Sequence, residues 1–152
     1  MSKKTIVVSG GFDPIHVGHL RMMQEAAEHG SLIVVVNSDE WLLRKKGYVF
    51  MPFEERAEII GAYPFVDQVI MAIDDDRTVC ESLKEIRPDI FANGGDRGNT
   101  NTPEVRLCKE LGIETLWNVG GGKVRSSSFL VKDATQKKRM KDLEKYRGQM
   151  AF

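Results

Sequence analysis

Thr5-Ile6-Val7-Val8-Ser9-Gly10-Gly11-Phe12-Asp13-Pro14-Ile15-His16-Val17-Gly18-His19 is the stretch on which the reading of this chain turns. Its first five residues form the kind of apolar, β-branched run that makes a buried strand. From Val17 onward, apolar Val17, Leu20, Met23 and Ala27 recur at helical spacing. A glycine turn lies between the two. Such a turn aims backbone N–H groups and the positive end of a helix at whatever binds there, the usual geometry of a phosphate site. His16 and His19 are three residues apart and share one face of the first helical turn. Two imidazoles beside a phosphate cradle suit the stabilisation of charge on a transferring phosphate, not merely its binding. The G-x-G-x-x-G spacing of a dinucleotide-binding turn is absent.

The 152 residues are enough for one domain with a sizeable core. Residues 1–152 therefore read as a single domain, with a core over 4–131 and a basic helical segment over 132–152. The 22 basic and 22 acidic residues balance, which argues against nucleic acid as the principal partner. Between Lys132 and Arg147, however, seven Lys or Arg stand against three Asp or Glu. That segment reads as a solvated helix face, or alternatively as a surface for polyphosphate, membrane or nucleic acid. No apolar run approaches the roughly 20 residues that span a bilayer. Ser2-Lys3-Lys4 leads straight into the first strand without an apolar leader. Cys80 and Cys108 fit no metal spacing and read as free thiols in a reducing, cytoplasmic compartment, with a disulfide between them left open.

Strand and helix alternate along the chain. His29-Gly30 is expected to end the first helix with a left-handed glycine cap. Leu32 to Val36 reads as a central strand covered on both faces. Ser38 can cap the Trp41-Leu42-Leu43 segment, and Arg44-Lys45-Lys46-Gly47 then forms a basic cluster beyond that strand. Ligands of open parallel sheets sit there, so the cluster reads as a cradle for an anionic substrate or as an exposed basic loop. Pro52 is expected at the first position of the next helix, in which Arg56 can pair with Glu54 or Glu55. Val66 to Ile73 reads as the third strand, and Asp74-Asp75-Asp76 as a solvated loop tip. Thr78 and Glu81 fit a capping box. Ile90 to Ala92 reads as the fourth strand, followed by the loop Asn93-Gly94-Gly95-Asp96. Thr102-Pro103-Glu104 starts a helix that Gly112 ends, and Ile113 to Trp117 reads as the fifth strand. After it, Gly120-Gly121-Gly122 and Ser126-Ser127-Ser128 repeat the opening logic. The serines can cap a helix or donate to phosphate oxygens. The fold class expected is α/β, a single Rossmann-like domain with a parallel five-stranded sheet and helices on both faces.

His16-Val17-Gly18-His19 resembles the H-x-G-H signature of the nucleotidyltransferase superfamily that includes the cytidylyltransferases. The resemblance implies that His16 and His19 stabilise the nucleotide's phosphates, with Gly10, Gly11, Phe12 and Asp13 around them. Lys45 matches the family's lysine between the second strand and the next helix. With Lys46 and Arg56 it is expected near the acceptor, and with Ser127 it joins the histidines as a catalytic candidate. The Gly-Gly-Asp loop resembles that of cytidylyltransferases and heptose-phosphate nucleotidyltransferases, which places Gly94 and Asp96 near triphosphate, metal or ribose. Arg125-Ser126-Ser127-Ser128 is similar to the second, phosphate-binding signature. The implied reaction is attack of a small phosphorylated alcohol or sugar on the α-phosphate of a nucleoside triphosphate, with release of pyrophosphate. CTP is the expected nucleotide and ATP the alternative, with Mg²⁺ accompanying it on ligands the sequence does not name. Family members commonly form homodimers. The rival readings are a nucleotide-binding regulator without turnover and a nucleic-acid-binding protein that uses the basic helix.

Overall fold

The computed structural model describes residues 3–76, 78–93, 102–120 and 127–150, without the side chains of 128, 139, 140 and 142–150. Five parallel strands form, the β-branched runs β1 (Thr5–Gly10) and β2 (Ser31–Val36) with the shorter β3 (Gln68–Met71), β4 (Ile90–Ala92) and β5 (Glu114–Leu116). The helices are α1 (Val17–Ala27), α2 (Asp39–Lys46), α3 (Phe53–Gly61), α4 (Cys80–Ile86), α5 (Pro103–Leu111) and α6 (Ser127–Met150). In space the strands run β3-β2-β1-β4-β5. Val7 is opposite both Ile33 and Phe91, so β1 is the central strand.

Alternation along the strands divides the core between two faces, as a period of two requires. Ile6, Val8, Leu32, Val34 and Val36 pack with Met23 and Ala26 of α1 and Ile60 of α3. Val7, Val35 and Phe91 point the other way, onto Leu83 of α4 and Leu107 and Cys108 of α5. This is the α/β sheet with helices on both faces that the sequence led us to expect. No described helix is long and apolar enough to cross a membrane.

Several local expectations are corrected. The third and fifth strands are shorter than the expected Val66 to Ile73 and Ile113 to Trp117, because pairing runs only from Gln68 to Met71 and from Glu114 to Leu116. Gly30 does not take a left-handed conformation. It is small because a Cβ there would collide with the Lys4 carbonyl, and the helix closes at Glu28 in an ordinary αR conformation. Pro52 precedes α3 as its N-cap instead of occupying its first position. The basic cluster is not a loop. It forms the last turn of α2, where cations suit the negative helix end, and Gly47 closes that helix at φ 84°.

The capping box expected at Thr78 and Glu81 does not form, since Val79 is the N-cap of α4 and makes no side-chain capping bond. Asp74 takes over that role and is buried rather than solvated. Its carboxylate accepts from Glu81 N–H at 2.7 Å, Ser82 N–H at 3.1 Å and Ser82 Oγ at 2.6 Å.

The chain moves from β1 outward to β2 and β3, then returns across the sheet to β4 beside β1. The order reverses at this point, and a crevice opens beyond the carboxyl ends of the two strands, where open α/β sheets bind ligands.

Candidate active site

The glycine loop leaves β1 at this crevice. Gly10 closes the strand and its carbonyl accepts from Asn37 N–H at 2.9 Å, tying the exits of β1 and β2 together. Phe12 folds back into the core at φ 53° and is 4% exposed. Its ring meets the His19 ring edge-on, with centroids 5.0 Å apart. Gly10 lies under that ring, where a Cβ would come within 3.1 Å of Phe12 Cζ. The Asp13–Pro14 peptide bond is cis.

His16 is the N-cap of α1, and the two histidines cap the helix reciprocally. His16 Nδ1 accepts from Gly18 N–H at 3.0 Å, and His19 Nδ1 accepts from His16 N–H at 3.2 Å. With Nδ1 acting as an acceptor in both rings, the proton of each neutral imidazole lies on Nε2, across the ring from the helix backbone. The rings stack with centroids 3.8 Å apart and planes inclined by 24°. Two N–H edges are therefore held in register at the positive end of a helix.

The expected acceptor-side residues divide by position. Lys46 Nζ donates to the Asp13 carbonyl at 2.8 Å. Burial pulls its pKa below that of an ordinary lysine; Asp13 opposes the shift, while Lys45 and Arg56 add to it. Lys45 Nζ lies over the Trp41 ring, 4.7 Å from the centroid, a cation–π contact. Arg56 is fully buried. Its ion pair is with Asp39 at 2.6 Å, not with the adjacent Glu54 or Glu55. The Asp13 carboxylate is also buried and accepts from Phe50 N–H at 2.8 Å and Met51 N–H at 2.5 Å. Among the described residues, no three or more His, Cys, Asp or Glu gather where they could hold a metal ion.

Ser127, at the start of α6, reaches the opening loop, its Oγ donating to the Pro14 carbonyl at 2.8 Å. The second motif is thereby joined to the first across 113 residues of chain. Just before it, Gly120 packs against α1 at φ 91°, with room for a Cβ denied by Met22 Cα at 2.8 Å, and its N–H donates to the Glu25 carboxylate. Gly94, Asp96, Arg125 and Ser126, and the side chain of Ser128, lie outside the described residues.

A cleft of about 290 Å³ opens between the ends of β1 and β4, lined by Ser9, Met22, Phe91, Ala92, Asn93, Thr102 and Glu104. Met22, which lines the cleft, lies about one helical turn beyond His19 on α1. Thr102 caps α5 by accepting from Val105 N–H at 3.3 Å, and Glu104 Oε1 accepts from Val79 N–H at 3.3 Å. Sequence reasoning did not single out Ser9, Asn93, Thr102 or Glu104. The only signal was the helix start Thr102-Pro103-Glu104 so soon after the end of a central strand.

A family model described as cytidylyltransferase-like matches residues 7–117, from within β1 to just past β5. The "Bifunctional protein HldE" of Streptomyces coelicolor is 39% identical over 116 residues, which are 74% of this chain and 25% of that protein. The chain thus spans about a quarter of that relative's length. The FAD synthase of Pyrococcus horikoshii is 34% identical over 113 residues, covering 73% of this chain and 76% of the synthase. Among solved structures, the lipopolysaccharide core biosynthesis protein of Thermoplasma volcanium aligns with a TM-score of 0.62 at 24% identity, over 76% of this chain and 96% of that one, a likeness of fold. With the matched segment containing most of β1, the four other strands, the glycine loop and the histidine pair, the chain belongs to the cytidylyltransferase-like family of nucleotidyltransferases.

Proposed function

We propose that this chain transfers the nucleotidyl group of a nucleoside triphosphate to a phosphorylated small molecule, and that the nucleotide is ATP in preference to CTP. The observation that carries the reading is the stacked His16–His19 pair, whose Nδ1 atoms are both fixed by backbone N–H groups at the start of α1. An oxygen of the acceptor's phosphate, already ionised near neutral pH, attacks the α-phosphorus. The bond from that phosphorus to the bridging oxygen breaks, and pyrophosphate leaves with the electron pair. No group needs to remove a proton, so catalysis rests on positioning and on hydrogen bonds to the developing charge. His16 and His19 donate from Nε2, and the Lys46 ammonium receives the acceptor's phosphate.

The nucleoside fits the cleft between β1 and β4, where Glu104 is suited to accept from hydroxyl or amino groups and would repel phosphate. The triphosphate is thereby directed toward α1. Mg²⁺ fits as part of the triphosphate, because it keeps most of its water and phosphate ligands and needs few protein carboxylates. When bound there it neutralises charge on the phosphate oxygens. The expectation of CTP came from family resemblance. FAD is built from flavin mononucleotide and an adenylyl group, so the FAD synthase relative favours ATP.

The test is pyrophosphate release with each of the four common nucleotides against phosphorylated alcohols, sugar phosphates and flavin mononucleotide. Turnover with ATP and at least one acceptor is expected. Turnover with CTP alone overturns the nucleotide choice, and none with any pair overturns the reaction.

A further inference from the structure

Arg56 is the largest fully buried side chain of the described core, and protein acceptors surround its guanidinium. Nε donates to the Met51 carbonyl at 2.8 Å, and Nη1 to the carbonyls of Gly11 at 2.7 Å and Asn37 at 2.8 Å. Nη2 donates to Asp39 Oδ1 at 2.6 Å. These acceptors lie in the glycine loop, at the exit of β2, at the start of α2 and in the segment just before α3. Met51 is held from its other side too, since its N–H donates to the Asp13 carboxylate. Helix α2 is therefore fixed at both ends: Arg56 holds Asn37 and Asp39 where the chain enters it, and Met51 after the chain has left it. Lys46 is the last residue of that helix, and its ammonium rests on the Asp13 carbonyl.

We infer that Arg56 is a positioning residue, which sets Lys46 against the glycine loop and itself touches neither substrate. This rests on the proposal above that Lys46 receives the acceptor's phosphate. It departs from the family resemblance, which puts the arginine beside substrate or nucleotide. A planar guanidinium can serve all these acceptors at once because its donors point outward in a rigid fork. A lysine ammonium at the same place keeps the charge and cannot span them. Arg56→Lys therefore loosens α2 without leaving the site uncharged.

The experiment combines two measurements on wild type, Arg56→Lys, Lys46→Ala and the double variant. Titration of the Lys46 amine, followed by NMR in the ligand-free protein, reads its surroundings without any turnover. In wild type it is expected below the ordinary lysine value, because burial disfavours the ammonium against the pull of Asp13 and with the push of Lys45 and Arg56. In folded Arg56→Lys it should return toward that value, and an unchanged titration overturns the inference. In turnover, Arg56→Lys should raise the acceptor KM about 10-fold or more and the nucleotide KM by less than about 3-fold. Residues acting through one another give non-additive effects. In the Lys46→Ala background Arg56→Lys should thus change the acceptor KM little further, whereas effects that multiply assign Arg56 its own contact with the acceptor and overturn the inference. If Arg56→Lys does not fold, Asp39→Asn replaces it, since it weakens the hold on Nη2 while keeping an oxygen for Phe53 N–H. If wild type turns over no acceptor, the proposed reaction fails and the Lys46 titration still decides the inference.

Discussion

His16 and His19 each have two separable jobs, and substitutions chosen for shape can divide them. At the backbone they cap α1 through Gly18 N–H on His16 Nδ1 and His16 N–H on His19 Nδ1. At Nε2 they face the proposed chemistry. Alanine removes both. A lost N-cap costs about 0.5–2 kcal/mol, and the partner hydrogen bond about 0.5–1.5 kcal/mol. His16→Asn keeps the cap, because asparagine is among the strongest N-cap residues. His19→Gln keeps the reciprocal bond, because glutamine at the third helical position reaches back to the N-cap N–H. Asparagine is too short to place a donor where Nε2 stood, whereas the glutamine amide puts an N–H close to it.

Unfolding in urea should therefore place His16→Asn within about 0.5 kcal/mol of wild type. His19→Gln should fall up to about 1 kcal/mol lower, because it also loses the edge-on contact with Phe12. His16→Ala and His19→Ala should each lose about 1–2 kcal/mol. In turnover the ranking changes. Removing one preorganised donor to a developing charge costs about 10²–10³ in rate, or 2.7–4 kcal/mol. His16→Asn and both alanine variants should lose kcat by that factor, read as pyrophosphate release at saturating substrates, and His19→Gln, whose amide N–H replaces Nε2–H, should lose less. If His16→Asn folds like wild type and keeps more than about a tenth of its kcat, the pair is a helix cap and nothing more.

Three other perturbations probe separate parts of the site. Ser127→Ala removes the bond from Oγ to the Pro14 carbonyl, so it should lower stability by about 0.5–1.5 kcal/mol. It should also cut kcat/KM about 10-fold by freeing one signature from the other; a variant less stable yet fully active would confine Ser127 to the fold. Glu104→Gln should weaken nucleotide affinity about 10-fold, since a charged acceptor becomes neutral, and equal calorimetric affinities in the two proteins would remove Glu104 from the nucleotide's surroundings. Burial pushes the Cys108 thiol up to about 11, with Cys80 and Glu104 adding to the shift. The unfolded thiol ionises first, so stability should decline as pH rises from about 9 toward 11 and be intact below that window; an identical pH dependence of the urea midpoint in Cys108→Ala would refute the assignment.

The fold was legible because the inner strands β1, β2 and β4 are rich in apolar, β-branched or aromatic residues and the inner helices repeat their apolar residues every three or four positions. Strand ends were less so, since pairing with a neighbour, not hydrophobicity, decides where a strand stops. Ile113, read as the start of the fifth strand, precedes its paired residues, which begin at Glu114. Helix α2 was only half visible: Trp41 and Leu42 are its buried residues, and three basic side chains in a row hide the rest of its periodicity. The pairing of His16 with His19 was legible because it lies in residue type and spacing within a single helical turn. Gly30 was misread because its reason for being small is the carbonyl of Lys4, a neighbour in space and not in sequence.

Charged residues within motifs were the hardest to read, and the glycine loop explains why. A loop that aims its N–H groups at a phosphate forms no helix or strand that would satisfy its carbonyls, and buried carbonyls need donors. Here the Gly11 carbonyl takes Arg56 from α3, the Asp13 carbonyl takes Lys46 from α2, and the Pro14 carbonyl takes Ser127 from α6. Each donor belongs to a motif that family resemblance assigns to a ligand. Spacing along the chain cannot distinguish a cation that meets a phosphate from one that meets the loop holding that phosphate, because both must lie within a few ångströms of the same place. Burial does distinguish them. Arg56 is fully buried among protein acceptors. Lys46 is only half-buried, and under the proposed mechanism its ammonium exchanges the Asp13 carbonyl for a phosphate oxygen of the acceptor, which would couple acceptor binding to the glycine loop.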